Sequence, residues 1–496
     1  MKALASDMLI KIINLGSRTI AALKVNYLVA ILIVLFALIH MPWITTPPID
    51  EHNWRQTDTA AVARNFQFES SNIFLPRVDG RGQFSGITGM EFPAYNYILY
   101  IANSIFGYQH WHGRVITLIF GCLGLAFFYA LIKRRYNIWV ACISTFVIAL
   151  TPLYFSFSKN IQPDILMLFL SIAGLYFTQR FSEKHQDKFF YTALACFSLA
   201  ILIKVPAVFI LLPAIYILKK EGLLKILDIK KMLSILLFLV APVLGWYLWS
   251  DHLSKDYGMG NYFYGDISFA KSLALVATKG FWYRICDYIL PIRFVFGPIY
   301  LLAFIGLLVS IVRKKYLPIV WLLSFVIFIA VFAIKSFYHN YYSLPLVPPV
   351  ALMVGIALEW IYSNLKKDSK IIAKILIVVI VAGGTIVAFI NAERVYKNRV
   401  DRSYSKLESI VDAVVPKNRL VITNANSNPV VLYFSNRKGW SLPNALLGEN
   451  EIKTYIVAGA KYLIIDKSFS TTSQISELGT RYKNIYEDNT FVIFEL

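Results

Sequence analysis

The chemistry open to this sequence depends on ionisable side chains that stand at the ends of long apolar segments. Carboxylates can act as general bases or orient hydroxyl groups, and cations can stabilise the charge of a phosphate. The carboxylates in such positions are Asp50, Glu51, Glu91 and Asp164. The cations and rings in such positions are Arg55, Arg114, Lys204, His339 and Tyr342. Ionisable groups beside lipid are costly, so together they indicate a site for an anionic, lipid-linked ligand with an acid/base group.

The densest group of charges follows Pro47-Pro48, which end the first apolar segment. Asp50 is placed to cap a new helix there. The residues that share one face of that helix are Glu51, Arg55, Asp58 and Val62. Two interpretations stay open for this stretch: a site at the boundary of water and lipid, or a solvated interfacial helix with ordinary ion pairs.

The rest of the sequence is typical of a polytopic membrane protein. Of its 496 residues 57% are hydrophobic, and apolar runs of membrane-spanning length recur along it. The first run is predicted to be a retained anchor, and the four scattered cysteines show no disulfide or metal spacing. Eleven spans are predicted, over Tyr27–Met41, Val115–Ile132, Ile138–Phe155, Ile165–Phe177, Phe189–Ile203, Val205–Leu218, Met232–Trp249, Phe294–Val312, Leu317–Ile334, Leu344–Ile361 and Ile371–Ile390.

The basic residues are distributed in a way that sets the orientation of these spans. A net charge of +20 could suggest nucleic acid, but the charges sit in short clusters between apolar runs, so no nucleic-acid partner is predicted. With a cytoplasmic N-terminus, every such cluster falls on the cytoplasmic side. The clusters include Lys133-Arg134-Arg135, Lys219-Lys220, Arg313-Lys314-Lys315 and Lys366-Lys367. All the candidate site residues then lie on the outer side.

The outer side also carries the two longest polar segments. The first outer loop covers residues 42–114 and the membrane module residues 1–391, which leaves residues 392–496 as a small outer domain. The strands predicted there are Arg419–Thr423, Lys461–Asp466 and Phe491–Phe494, and the helices are Pro429–Phe434 and Ser473–Tyr482. We therefore predict an all-α polytopic membrane protein with a C-terminal α/β extracytoplasmic domain.

Several of the charged residues also have a purely structural interpretation. Asp164 could cap a helix, whereas Lys204 and Arg114 could extend to lipid headgroups. His339 could be an ordinary interfacial histidine. Glu91, before Phe92-Pro93, has no evident capping role. The joint pattern is more specific than any one of its members.

The ordered set of motifs resembles the membrane-embedded GT-C glycosyltransferases of the protein O-mannosyltransferase and aminoarabinose-transferase type. The motifs are Asp50-Glu51, Glu91-Phe92-Pro93, Phe106-Gly107 followed by Arg114, Gln162-Pro163-Asp164, Leu202-Ile203-Lys204-Val205-Pro206 and Tyr341-Tyr342-Ser343-Leu344-Pro345. The resemblance covers the whole membrane part. It implies the GT-C fold, with about 11 transmembrane helices, and a polyprenyl-phosphate sugar as donor.

The resemblance also implies roles for the site residues. Asp50, with Glu51 beside it, would be the base for an acceptor hydroxyl, and Glu91 and Asp164 would orient acceptor or sugar. In the aminoarabinose transferases the middle residue of Glu-x-Pro is a lysine that contacts the donor phosphate, whereas Phe92 stands here. Phosphate binding then falls to other cations, such as Arg55 or Lys204. The residues expected to bind the donor's phosphate or sugar are Arg55, Asp58, Arg114, Lys204, His339 and Tyr342.

The expected reaction is a single displacement that inverts the anomeric carbon, at the outer face of the inner (plasma) membrane. The expected partners are the polyprenyl-phosphate donor, a glycan, lipid or protein acceptor, and membrane lipid. No cofactor or metal ligand is assigned, although a divalent metal is compatible with the site. Two rivals stay open: a transporter or flippase of lipid-linked saccharides, and a non-catalytic sensor that binds through its C-terminal domain. The flippase explains less well why the charges gather on one face.

Overall fold

The structure is a computed structural model. It describes residues 25–223, 228–259, 269–285, 297–365, 402–426 and 428–496, together with residues 383 and 390. The predicted eleventh span, Ile371–Ile390, therefore lies outside the described residues apart from two positions.

Helices make up most of the described chain. From the N-terminus to residue 220 they are α1 Val25–Ile44, α2 Asn53–Phe68, α3 Ala94–Phe106, α4 His112–Arg135, α5 Ile138–Leu150, α6 Pro152–Phe157, α7 Asp164–Lys184, α8 Asp187–Ile203 and α9 Leu211–Lys220. From residue 229 to residue 365 they are α10 Ile229–Ile235, α11 Ala241–Asp256, α12 Phe269–Val276, α13 Lys279–Tyr283, α14 Gly297–Val312, α15 Leu317–Val331, α16 Ala333–Tyr338 and α17 Val347–Asn364. Short 3₁₀ turns at Val205–Ile210 and Asn340–Leu346 enter α9 and α17.

Five continuous helices in the described part are long and apolar enough to cross a membrane. They are Val25–Ile44, His112–Arg135, Asp164–Lys184, Ile229–Asp256 and Asn340–Asn364. The run predicted over Ile138–Phe155 is divided, because Thr151 is extended and Pro152 starts α6. The all-α membrane architecture is thus confirmed, and the number of eleven spans stays a prediction.

The C-terminal part contains a five-stranded sheet in the order β2-β1-β3-β5-β4. Its elements are α18 Leu407–Val414, β1 Leu420–Thr423, α19 Val430–Ser435, β2 Lys438–Ser441, α20 Glu449–Val457, β3 Ala460–Asp466, α21 Thr472–Arg481, β4 Lys483–Glu487 and β5 Phe491–Glu495. Strands β2, β1 and β3 are parallel, whereas β5 runs antiparallel to β3 and to β4. The predicted α/β character is confirmed. The strands β2 and β4 were not predicted, since both are short and partly exposed.

The segment between α2 and α3 covers the free edge of this sheet. The amide of Gly82 donates to the carbonyl of Gly439 in β2 (2.8 Å), and the amide of Gly439 donates to the carbonyl of Asp79 (3.3 Å). Gly82 has a φ of 55°, and a Cβ there would lie 2.6 Å from the Trp440 indole nitrogen. Only glycine fits both the backbone and the contact. The loop therefore shields an edge strand that would otherwise expose unpaired backbone groups.

A buried group of charges joins the same two parts. Asp79 is fully buried, and its carboxylate accepts from Arg64 of α2 (2.5 Å), from Asn65 (2.9 Å) and from Lys438 of β2. Arg64 also donates to the carbonyl of Tyr433 at 2.9 Å. Burial opposes ionisation of Asp79, but Lys438 and Arg64 outweigh it and hold the pKa of this carboxyl below its ordinary value. Helix α2 is thus anchored to the C-terminal domain at its far end.

The substitution Asp79→Asn should destabilise the protein strongly. It takes the carboxylate away from Arg64, which is fully buried, while Lys438 keeps Glu69 at 3.4 Å, and breaking such a buried pair costs about 3–5 kcal/mol. Thermal unfolding of the purified protein measures this. The pKa of Asp79 is lower in the folded protein than in the unfolded chain, where it is about 4. The contribution of Asp79 to the free energy of unfolding is therefore fully present above pH about 4. It is lost only as the pH falls through the folded pKa.

The matched control for this prediction is Glu449→Gln. It removes an exposed ion pair with Lys453 inside α20, so its melting temperature should equal that of the wild type. Equal melting temperatures for Asp79→Asn and Glu449→Gln would contradict the anchoring role of Asp79.

Candidate active site

The centre of the site is a buried ion pair between Asp50 and Arg114. Asp50 lies between α1 and α2, and Arg114 lies in the first turn of α4. The guanidinium donates from Nη1 to Oδ2 (3.1 Å) and from Nη2 to Oδ1 (3.0 Å). Arg114 also donates to the backbone carbonyls of Thr46, Pro47 and Lys159. One guanidinium thus fixes the chain after α1 and the connection between α6 and α7.

The approach of α4 to that connection requires a glycine. A Cβ on Gly113 would lie 2.6 Å from a methyl group of Ile161. With glycine there, the first turn of α4 comes close enough for Arg114 to reach the Lys159 carbonyl at 3.1 Å. Sequence reasoning considered headgroup contact for Arg114, but the side chain is fully buried.

The prediction that Asp50 caps α2 was wrong. The helix begins at Asn53, and its N-cap residue is His52, which makes no capping hydrogen bond through its side chain. His52 has a φ of 59°, in the left-handed region that few residues other than glycine adopt. Asp50 cannot cap because Arg114 and Gln56 already bind its carboxylate.

Gln56 connects the carboxylate loop to the segment that precedes α7. Its Nε2 donates to Oδ1 of Asp50 (2.5 Å) and to the carbonyl of Glu51 (2.8 Å), and its Oε1 accepts from the amide of Ile161 (3.0 Å). Burial raises the pKa of Asp50, but the charge and hydrogen bonds of Arg114 outweigh burial, so the net shift is downward. Asp50 is therefore a carboxylate at neutral pH. Three donors occupy three of its roughly four acceptor positions, which leaves one on Oδ2.

Glu51 contacts the segment that enters α17. Asn340 donates from Nδ2 to Oε1 of Glu51 (2.8 Å) and accepts at Oδ1 from Nε2 of His52 (2.9 Å). The His339 ring stacks on Tyr341 with the ring centres 5.2 Å apart, and it lies 5.6 Å from the Trp54 ring. Burial, helped by the neighbouring positive charges, lowers the pKa of His339 to about 3. His339 is thus a neutral ring in an aromatic wall beside Glu51.

A second buried ion pair joins α2 to the segment that precedes α3. Arg55 donates from Nη2 to Oε1 of Glu91, and both side chains are almost inaccessible to solvent. Phe92, which follows, packs edge-on against Trp246 with ring centres 5.0 Å apart. Phe92 therefore has an apolar packing role, and its neighbour Glu91 holds the Arg55 guanidinium.

A third ion pair lies at the outer ends of α7 and α8. Lys204 donates to Oδ1 of Asp164 at 2.6 Å. The Lys204 ammonium also lies 4.6 Å from the centre of the Tyr341 ring and 5.1 Å from that of Tyr342. Cation–π contacts of this kind orient an ammonium in a dry site. Lys204 was considered as a headgroup contact, but it points into the protein.

Helix α2 is buried over most of its length, which decides between the two interpretations of this stretch. Its residues from Arg55 to Phe66 are all buried, so the interpretation as a solvated interfacial helix was wrong. Asp58 is buried one turn beyond Arg55. Glu51 precedes the helix and does not share its face, because α2 starts later than predicted.

Sequence reasoning missed Lys159 and Gln56 as members of the site. The Lys159 ammonium is 4.9 Å from the Trp43 ring, and burial lowers the pKa of Lys159 well below its ordinary value while the charge of Asp50 opposes that shift. A lysine within the short connection before Pro163-Asp164 was the available signal. The sequence contained no such signal for Gln56, since a single glutamine within a helix does not stand out in a sequence.

In the described part of the chain, six of the ten residues predicted for the site form three buried ion pairs. Glu51 binds Asn340, His339 and Tyr342 belong to the aromatic wall, and Asp58 is buried in α2. That these residues form one site stays a prediction. Within the described ranges, no group of three or more His, Cys, Asp or Glu side chains is placed to bind a metal ion.

Comparisons with known proteins bear on the fold of the chain. A family profile described as dolichyl-phosphate-mannose-protein mannosyltransferase matches residues 91–246. ArnT from Cupriavidus metallidurans is similar in structure, with a TM-score of 0.66 at 12% identity over 95% of this chain and 98% of that chain. The chain has the GT-C fold.

Other GT-C structures match as well. ArnT bound to undecaprenyl phosphate gives a TM-score of 0.61 at 12% identity, over 95% of this chain and 98% of that chain. The Archaeoglobus fulgidus oligosaccharyltransferase tethered with an acceptor peptide gives 0.60 at 13% identity, over 89% of this chain and 69% of that chain. No curated protein matches the sequence. The resemblance predicted from the ordered motifs is confirmed.

Proposed function

We propose that the protein is a membrane glycosyltransferase. It moves a sugar from a polyprenyl-phosphate donor to an acceptor hydroxyl at the outer face of the inner membrane, and its C-terminal domain is extracytoplasmic. The observation that carries the proposal is the convergence of three buried ion pairs in a GT-C fold: Asp50–Arg114, Arg55–Glu91 and Lys204–Asp164. Buried charges need a reason, since apolar residues would pack there at lower cost.

The proposed reaction is a single displacement. The acceptor oxygen forms a bond with the anomeric carbon, the bond from that carbon to the phosphate oxygen breaks, and polyprenyl phosphate leaves. The acceptor proton passes to Oδ2 of Asp50, which has an acceptor position left beside Arg114. Attack from the side opposite to the phosphate inverts the anomeric configuration.

Phosphate is a good leaving group, so the protein needs cations more than an acid. Arg55 and Lys204 are the cations proposed to stabilise the growing charge of the leaving phosphate. Their carboxylate partners keep both cations oriented before the donor arrives, which reduces reorganisation in the reaction. Glu91 and Asp164 are proposed to orient acceptor or sugar.

An apolar crevice close to Lys204 in the chain is the proposed place for part of the donor's lipid. It lies between α7, the Val205–Ile210 turn and α15, and its lining includes Pro206, two residues beyond Lys204. Its walls include Phe209, Trp321 and Phe328. A chain of prenyl units in this crevice would place its phosphate near the Lys204 ammonium.

The test is incubation of the purified protein with undecaprenyl phosphate linked to mannose, glucose or arabinose, in detergent and in vesicles. Release of undecaprenyl phosphate together with a glycosylated acceptor supports the proposal. Movement of the intact lipid across the vesicle membrane without cleavage would support a flippase and overturn the proposal. Binding without either result would favour the sensor.

A further inference from the structure

One connection in the site contains a buried carboxamide that the described protein does not satisfy. Gln162, between α6 and α7, is 1% exposed, and neither Oε1 nor Nε2 has a hydrogen-bond partner among the described residues. A buried amide normally finds a partner, and leaving one unpaired is destabilising. Gln162 is thus an exception that calls for a physical reason.

The residues around Gln162 in the chain all belong to the site. The Asn160 side chain lies 3.5 Å from the Glu51 carbonyl, and the Ile161 amide donates to Gln56. Two residues beyond Gln162, Asp164 binds Lys204. Along the chain, Gln162 therefore lies between Ile161, which binds Gln56, and Asp164, which binds Lys204.

Two further polar atoms near this point are also unpaired in the described part of the chain. Oδ2 of Asp164 has no partner, although Oδ1 binds Lys204, and the residue is 2% exposed. Oγ of Ser343 has none and belongs to the 3₁₀ turn at Asn340–Leu346, which packs on α7. Ser343 directly follows Tyr342, whose ring lies 5.1 Å from the Lys204 ammonium.

The chemistry of these atoms selects one class of ligand. A carboxamide donates and accepts, a serine hydroxyl does both, and a carboxylate only accepts. A phosphate would be repelled by Asp164, whereas hydroxyl groups on neighbouring carbons can donate to the carboxylate and exchange bonds with the amide. The set therefore fits the hydroxyl groups of a sugar ring.

We propose that Gln162, with Oδ2 of Asp164 and Oγ of Ser343, forms the subsite that binds the hydroxyl groups of the donor sugar. This rests on the proposed function and adds the group that recognises the sugar. The subsite lies beside Lys204, the cation assigned to the donor phosphate. Gln162 is then a specificity-determining residue, because its two hydrogen bonds are made only with a sugar-bearing lipid.

The substitution Gln162→Leu separates this role from a structural one. Without ligand, the variant should melt roughly 1–4 °C above the wild type. Leucine has a volume similar to that of glutamine, and the substitution removes a buried amide that has no hydrogen-bond partner among the described residues. The matched control is Gln56→Leu, in which a buried glutamine with three partners is lost, and its melting temperature should fall. A fall for Gln162→Leu comparable to that control would show a structural role and overturn the proposal.

The second measurement compares binding of undecaprenyl phosphate with binding of the same lipid linked to mannose, glucose or arabinose, without acceptor. We expect the wild type to bind one sugar-bearing lipid more tightly, Gln162→Leu to weaken that binding about tenfold, and the affinity for undecaprenyl phosphate to stay within about twofold. Equal weakening for both lipids, or no sugar preference in the wild type, overturns the subsite. A wild type that binds none of the lipids contradicts the proposed function instead, and the melting temperatures still decide the role of the Gln162 amide.

Discussion

Asparagine in place of Asp50 is expected to lower the turnover of donor at saturation by at least about 10³-fold, within the range that general-base catalysis supplies. The amide oxygen can still accept a hydrogen bond, but the side chain can no longer take the acceptor's proton. The measurement is release of polyprenyl phosphate from the donor lipid that the wild type cleaves. Unchanged turnover in this variant would sink the assignment of Asp50 as the base.

The Asp50 variant should still fold, and this can be checked directly. Arg114 retains backbone carbonyl acceptors at Thr46, Pro47 and Lys159 after the carboxylate is gone. A matched control is Asp412→Asn, since Asp412 also pairs with a buried arginine, Arg437, at 2.9 Å, but in the C-terminal domain. We expect the control to lose stability while its turnover stays close to that of the wild type. If both variants lost turnover equally, breaking any buried arginine–aspartate pair would lower turnover, and the result would contradict the role of Asp50 as the base.

The second large effect concerns Arg55 and Glu91. Glu91→Gln removes one partner of a buried ion pair with Arg55, which should cost about 3–5 kcal/mol of stability and abolish transfer. Adding Arg55→Met removes the other partner as well, so the double variant should regain part of that stability. Because the double variant also lacks the cation proposed to bind phosphate, its transfer should stay abolished.

This cycle separates packing from chemistry. Thermal unfolding reports the stability of the wild type, of Glu91→Gln, of Arg55→Met and of the double variant. Donor cleavage reports their transfer rates. The control pair is Arg313 with Glu359, which is more exposed and lies among the basic residues predicted to be cytoplasmic. The double substitution Arg313→Met with Glu359→Gln should leave both properties nearly unchanged. If transfer returned along with stability in the Arg55–Glu91 double variant, the pair would be structural only.

The sequence predicted the helical membrane fold because it depends on local signals, and the same signals propose the membership of a site. Long apolar runs identify helices such as α4 and α7, and ionisable residues at the ends of spans are rare enough to be noticed singly. The outer location predicted for Glu91, Asp164 and Lys204 depends on the basic clusters placed on the opposite side, and it stays a prediction. These inferences needed no knowledge of how the helices pack.

The pairing of the charges could not be predicted in the same way. Asp50 binds a guanidinium 64 residues away, and Arg55 binds a carboxylate 36 residues away, so each pair depends on helix packing. The failed prediction of a cap at Asp50 has the same origin, since a distant arginine competed with the local backbone for the carboxylate. The role of Gln162 was also out of reach, because only the folded chain shows that a buried amide lacks partners.

The contact between the first outer loop and the C-terminal sheet also has a consequence for biosynthesis. Asp79 and Lys438 are 359 residues apart in the chain. At about 5–20 residues per second, a ribosome needs roughly 20–70 s to synthesise that interval. During this time Arg64 and Asp79 are already synthesised, while the strand that completes their cluster does not yet exist. Helix α2 therefore reaches its final anchoring late, and a nascent chain that stops before β2 would present the outer loop without its partner strand.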